Sequence, residues 1–153
     1  MAGHLSGKNI AVTGAGNGIG RSVAILCAKE GANVVVADYG VELDGSAPSS
    51  AVADEVVNQI KELGGNAIAV AGDVSESEVG QRIVETAIEA WGRIDGVACA
   101  AGILRERMLF NMTDEEFDDV VRVHLRGHFN VYRAASAVMR KQEGGGSILG
   151  FTS

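Results

Sequence analysis

The chain has 153 residues, 46% of them hydrophobic and 22% charged, with 21 Gly, one Pro and a formal net charge of −7. That is enough for one domain with a real core, at a size where about 68–70% of the unfolded surface becomes buried. The apolar content excludes disorder and the near absence of proline excludes collagen-like or Pro-rich repeats, while 20 Asp+Glu against 13 Lys+Arg argue against a polyanion-binding surface. Cys27 and Cys99 have no CxxC-type companions, so neither a disulfide scaffold nor a metal site is expected and a reducing compartment is the default. The first eight residues lack a charged region followed by an apolar run, and no stretch reaches ~18 uninterrupted apolar residues. The expectation is a soluble, cytoplasmic protein.

In chain order, short Val-, Ile- and Ala-rich runs alternate with helical patterns. Residues 9–13 (NIAVT) are apolar and stopped by Gly14, as a buried strand is. Residues 19–30 are good helix formers ended by Gly31. Residues 33–38 (NVVVAD) hold three consecutive Val without polar alternation, so this second strand belongs inside a parallel sheet. Ser49 or Ser50 caps a helix that runs to Leu63 and ends at Gly64-Gly65, and residues 66–71 (NAIAVA) form the third strand. Ser75 with Glu78 is a capping-box pattern ahead of Val79, Ile83, Ala87 and Trp91 at helical spacing. Residues 94–100 make a fourth strand. Thr113 with Glu116 opens one long helix through Phe117, Val120, Val121 and Leu125 to about Gln142, residues 143–146 break it, and residues 147–152 (SILGFT) form a fifth strand. Five strands with intervening helices imply parallel βαβ units with right-handed crossovers, hence one doubly wound α/β domain over residues 1–153.

In such open sheets, ligands bind outside the carboxyl ends of the strands, where helix N-termini offer free N–H groups and a positive dipole end to anions. The first such junction reads Thr13-Gly14-Ala15-Gly16-Asn17-Gly18-Ile19-Gly20-Arg21. It departs from G-x-G-x-x-G, because the third glycine would fall at Ile19 or Arg21, and fits T-G-x-x-x-G-x-G through Gly14, Gly18 and Gly20. Gly14 turns the chain off the strand, Gly18 removes a side chain where backbone meets pyrophosphate, and Gly20 lets the helix approach the sheet; the alternative is an ordinary Gly-rich turn. Asp38 ends the second strand about twenty residues on, where a carboxylate accepts from the adenosine ribose hydroxyls. A 2′-phosphate there would face a like charge, and Ala15, Gly16 and Asn17 offer no compensating cation, so NAD is expected over NADP. Asp73-Val74, after the third strand, either accepts from the adenine amino group or simply begins a turn. The irregular stretch 39–48 is long for a connection, and is either a surface insertion or a neighbour of the adenosine.

Together, TGAGNGIG at 13–20, the strand end at Asp38, Asp73-Val74, Ala101-Gly102 and VHLRGHF at 123–129 resemble the short-chain dehydrogenase/reductase family, in order and over essentially the whole chain. GILRER at 102–107 and VHLRG at 123–127 more narrowly resemble the hydroxyacyl-CoA dehydrogenase part of peroxisomal multifunctional β-oxidation enzymes and their bacterial relatives. The resemblance implies a Rossmann-like sheet in the order 3-2-1-4-5. It places the pyrophosphate on the loop (Gly14, Gly16, Asn17, Gly18, Ile19, Gly20), Asp38 on the ribose, Asp73 and Val74 on adenine, and the Ala101-Gly102 turn at the cofactor. It also implies hydride transfer between NAD and a secondary alcohol or ketone, such as a 3-hydroxyacyl-CoA, by a homotetramer.

Departures from the family pattern matter as much. Family members usually have Asn-Asn-Ala-Gly where this chain has Cys99-Ala100-Ala101-Gly102, so the Asn side-chain braces are absent while the backbone turn survives. The family's active-site Asn aligns with His124, which is either a member of a proton relay or a satisfied structural histidine. The family's substrate-orienting serine matches Ser153. Its acid/base Tyr, which needs a nearby cation to titrate near neutrality, and its Lys form Y-x-x-x-K further downstream. Here only Tyr39 and Tyr132 occur, followed four residues on by Leu43 and Ser136. The expectation is the amino-terminal, NAD-binding portion of a longer dehydrogenase, inactive alone, with Ile148, Leu149 and Phe151 on an unprotected edge strand. The alternative is a stand-alone chain that binds NAD without catalysis.

Overall fold

The computed structural model describes residues 3–40, 49 and 51–152. The readings of residues 41–48, of Ser50 as a helix cap and of Ser153 as the substrate-orienting serine lie outside the described residues. In chain order the elements are β1 (Asn9–Thr13), α1 (Gly18–Lys29), β2 (Asn33–Asp38), α2 (Ala51–Glu62), β3 (Asn66–Ala71), α3 (Ser77–Trp91), β4 (Gly96–Cys99), α4 (Asp114–Val121), α5 (Gly127–Met139) and β5 (Ser147–Gly150). All four strand pairings are parallel and the order is β3-β2-β1-β4-β5. This is the doubly wound, Rossmann-like α/β fold.

The three valines of β2 show why the sheet needs two covered faces. Val34 and Val36 pack with Ala24, Val56 and Ile60 of α1 and α2, while Val35 points the other way, into Ile83, Ala87 and Val131 of α3 and α5. All three are fully buried, each contributing up to about 1.5–3 kcal/mol. Register is pinned at the amino-terminal strand ends, where Asn9, Asn33 and Asn66 pair across the sheet. Asn33 Nδ2 donates to Asn9 Oδ1 at 2.8 Å and Asn66 Nδ2 to Asn33 Oδ1 at 3.1 Å. A one-residue slip would break this ladder and turn every apolar side chain to the wrong face.

Several local expectations are corrected. The Thr113–Glu116 capping box forms, with Glu116 N–H donating to Thr113 Oγ1 at 3.2 Å and Thr113 N–H to Glu116 Oε2 at 3.0 Å. The Ser75–Glu78 box does not: α3 starts at Ser77 with Glu76 as its N-cap, because the Ser75 hydroxyl is taken by Arg122. The single long helix is two, α4 and α5, joined by a π turn over Arg122–Arg126 and ending at Met139. β4 is shorter than expected because Gln142 captures Ile94: its Oε1 accepts from Ile94 N–H at 3.1 Å and its Nε2 donates to Ile94 O at 2.8 Å. β5 ends at Gly150 rather than at residue 152. Before α2, Ser49 Oγ accepts from Ala51 N–H at 3.3 Å.

Candidate functional site

A crevice of ≈ 650 Å³ opens at the carboxyl ends of the strands, between the β1–α1 loop, the turns after β2, β3 and β4, and the π turn. The loop's glycines do three different jobs. Gly14 has φ +62°, and a Cβ there would sit 2.7 Å from the Ala101 N and Cα atoms, so only glycine lets β1 turn off against the end of β4. At Gly20 a Cβ would fall 2.1 Å from the Gly14 carbonyl oxygen, so α1 approaches the loop through a missing side chain. Gly18, at φ +52°, has nothing within 4 Å of its Cβ position. Asn17 is the N-cap of α1, and among the described residues no side chain caps that end and no acid stands in its first turn. The amide-rich, positive end of α1 is therefore unopposed beside an open cradle, which fits an anionic pyrophosphate.

Asn17, Gly18, Ile19 and Gly20 line the crevice; Gly16 is set back behind it. Gly16 N–H donates to Asp38 Oδ2 at 2.7 Å, and a Cβ there would strike Val52 Cγ1 at 2.4 Å. The other Asp38 oxygen accepts from Gly40 N–H at 2.6 Å. Asp38 thus lines the crevice and at the same time ties the loop to the end of β2.

Asp73 and Val74 also reach the crevice, and Asp73 begins a turn as well, its Oδ1 accepting from Ser75 N–H at 2.8 Å. Its Oδ2 accepts from Arg122 at 2.7 Å. Burial works to raise the Asp73 carboxyl, but hydrogen bonds from Arg122 and Ser75 outweigh it and hold the group below its ordinary value. Asn130, buried on α5, donates from Nδ2 to the Val74 and Ser75 carbonyls at 3.0 and 2.9 Å and fixes the same turn. Neither Arg122 nor Asn130 was singled out in the sequence. Asn130 carried a faint signal, a polar residue on the buried helical face of Gly127, Val131 and Ala135; Arg122 carried none.

After β4, Thr13 holds the turn: its Oγ1 accepts from Ala101 N–H at 3.3 Å and its carbonyl from Ala100 N–H at 3.2 Å. Burial pushes the Cys99 thiol up to about 12 despite a hydrogen bond with Thr13. His124 is set back from the crevice wall. Its ring lies against Gly102, where a Cβ would meet Cε1 at 2.4 Å. Its Nε2 is 2.9 Å from Ile103 O and 3.2 Å from Ile103 N, so either tautomer holds the Ile103 backbone. In this geometry His124 positions the loop after β4.

The sequence profile described as short chain dehydrogenase matches residues 8–153. The chain belongs to the short-chain dehydrogenase/reductase family. Peroxisomal multifunctional enzyme type 2 of Mus musculus is 45% identical over 141 residues, covering 92% of this chain and 19% of that protein. Hydroxyacyl-CoA dehydrogenase ChsB1 of Mycobacterium tuberculosis is 46% identical over 149 residues, covering 95% of this chain and 45% of that protein. A crystal structure of a short chain dehydrogenase from Mycobacterium avium superposes with a TM-score of 0.90 at 42% identity, covering 99% of this chain and 56% of that one. The chain thus spans less than half the length of these two curated relatives. No helix among the described residues is long and apolar enough to cross a membrane.

Proposed function

We propose that this family member binds NAD in the crevice and serves a dehydrogenase that interconverts a secondary alcohol and a ketone. The observation that carries the reading is the juxtaposition of the uncapped α1 N-terminus, the open Gly18 position and the Asp38 carboxylate in one crevice. The first-turn amides and the helix dipole would hold the pyrophosphate. Asp38, with lone pairs beyond those given to Gly16 and Gly40, would accept from ribose hydroxyls and repel a 2′-phosphate. Asp73 and Val74 would meet the adenine edge. When bound, the nicotinamide supplies the hydride chemistry.

Likeness to a relative named as a hydroxyacyl-CoA dehydrogenase supports a 3-hydroxyacyl-CoA substrate, and membership of the family is the ground for a homo-oligomeric working form. The acid/base step needs a tyrosine beside a lysine, and these 153 residues hold no Y-x-x-x-K. In this reading Ser153 orients substrate, and turnover needs groups beyond this stretch. Titration of the purified chain with NAD, NADP and S-adenosylmethionine tests the proposal. NAD should bind most tightly, with no NADH formed on adding a 3-hydroxyacyl-CoA. Preference for S-adenosylmethionine would overturn it.

A further inference from the structure

The β3 end of the crevice carries an ion pair of which the cofactor reading uses only the acid, Asp73, and gives Arg122 no role. Arg122 opens the π turn and reaches the turn after β3, where its Nη1 donates to Asp73 Oδ2 at 2.7 Å and also to the Ser75 hydroxyl. Its Nη2 lies 3.6 Å from Asp119 Oδ1, and Asp119 also accepts from Arg105 at 3.0 Å. The second Asp73 oxygen is held by Ser75 N–H at 2.8 Å. A carboxylate offers about four lone-pair sites. Here one is fixed on each oxygen, so the group cannot rotate, yet Asp73 still lines the crevice beside Val74. The same π turn holds Ile103 through His124, so one five-residue segment sets the position of two crevice walls.

We infer that Arg122 is a positioning residue for base recognition: by clamping Asp73 it presents a fixed acceptor to the crevice and selects a purine with an exocyclic amino group over one with an oxo group. The inference rests on the dinucleotide reading and adds to it the residue that holds the base acceptor in place. Adenine offers an amino donor next to a ring acceptor; hypoxanthine reverses both, placing an oxo acceptor against the carboxylate. A site built around a fixed acceptor discriminates because the wrong base leaves it facing another acceptor. Without the clamp, the carboxylate turns to solvent and the distinction fades. Loss of the Arg122 charge also leaves Asp38, Asp73 and Asp119 less compensated, which weakens both anionic dinucleotides alike. The preference ratio is therefore the informative quantity.

The test compares the 153-residue chain with Arg122→Met and Arg122→Lys, titrated calorimetrically with NAD and with nicotinamide hypoxanthine dinucleotide, with melting curves recorded alongside. The parent should favour NAD by about tenfold or more, and Arg122→Met should bring the two within about threefold, chiefly through weaker NAD binding. Arg122→Lys, a point charge without the fork that holds Asp73 and Ser75 through Nη1 while Nη2 faces Asp119, should fall between them. An unchanged ratio in Arg122→Met, even with both ligands weaker, would mean a purely structural role and overturn the inference. If Arg122→Met fails to melt cooperatively, the lysine variant decides, and a parental ratio there overturns it. A parent that binds both dinucleotides equally sinks this inference alone; one that binds neither sinks the dinucleotide reading with it.

Discussion

Asp38 and Gly16 meet at 2.7 Å, a carboxylate oxygen accepting a loop N–H, while the partner oxygen takes the N–H of Gly40 at 2.6 Å. A residue expected to touch the ribose is thereby also a strut of the glycine loop. Charge-assisted bonds of this kind are the stronger sort, so the two roles combine in one substitution. Asp38→Ala should weaken NAD binding by about ten- to a hundredfold and relax the discrimination against NADP. Calorimetry with both cofactors separates the roles. Weaker binding with unchanged selectivity would leave only the strut, and unchanged affinity would remove both.

Gly20 and Gly18 differ in what a methyl group would meet, and so should their alanine variants. At Gly20 the new Cβ would overlap the Gly14 carbonyl oxygen at 2.1 Å. Backbone on both sides must then move, at a cost of about 1–3 kcal/mol, and the cradle moves with it. Gly20→Ala should lower the melting temperature and abolish measurable NAD binding. Gly18→Ala meets no atom within 4 Å but sits at φ +52°, where a side chain costs about 1–2 kcal/mol and projects into the open cradle. It should lose NAD affinity by more than its stability loss accounts for. Equal losses of stability and affinity in both variants would contradict this division of labour.

How much of this was legible follows the range of the interactions. The strands and their parallel sheet could be read because the Val34–Val36 run is apolar on both faces, as a strand covered on two sides is. The order β3-β2-β1-β4-β5 was implied by the family resemblance and not by the pattern. Gly14, Gly18 and Gly20 were legible because each answers a local backbone demand. Arg122 was not, because its partner Asp73 lies 49 residues away and only the fold brings them together. The same contact removed Ser75 from its expected capping box. The π turn was equally hidden, since Val121, Arg122 and Val123 carry neither Pro nor Gly to mark a helix defect. The commitment of the Gly16 N–H to Asp38 was hidden as well, because nothing in the glycine string marks that pairing across 22 residues.

The Asp73–Arg122 pair predicts an acid-side dependence of stability. Asp73 titrates below its ordinary carboxyl value because the hydrogen bonds from Arg122 and Ser75 outweigh its burial. A lowered folded-state value contributes stability above the unfolded value, near 3.9, and that contribution disappears as pH falls through the folded value. Arg122 is partly exposed at 43%, so the pair is worth within about 1 kcal/mol. Urea unfolding of the parent and Arg122→Met should differ by about that much at neutral pH and converge in strong acid. A gap that persists undiminished at low pH would show that Arg122 acts through packing rather than charge.

The Cys99 thiol gives the opposite limb. Burial raises it from 9.0 to about 12, so the folded chain resists forming the thiolate that reacts with disulfide reagents. Burial also raises the half-buried Cys27 thiol. In native protein at pH 8, Cys99 should remain unlabelled by a thiol–disulfide probe until the chain unfolds, with Cys27 the faster of the two. Because the folded value is raised, stability should be intact below pH 9 and decline as pH climbs from 9.0 toward about 12. Prompt labelling of Cys99 in the folded state would show that the β4 end opens readily.

The last strand makes a prediction about association. β5 pairs with β4 and ends the sheet order, and its Ile148 and Leu149 are 41% and 54% exposed, with Phe151 just beyond at 36%. An edge that is apolar and carries unpaired backbone groups is a template for another chain. The 153-residue chain should therefore self-associate with rising concentration, and Leu149→Lys should shift it toward monomer by placing a charge on that edge. A second apolar surface competes for the same role, the flank formed by Phe117, Leu125 and Phe129, all more than half exposed. Light scattering of Leu149→Lys beside Phe129→Lys tells them apart. Dispersal by the strand variant alone assigns contact to the edge, and dispersal by the helix variant alone moves it to the flank. A parent that stays monomeric at every concentration refutes the edge argument, since no charged or proline residue within Ser147–Gly150 guards the strand.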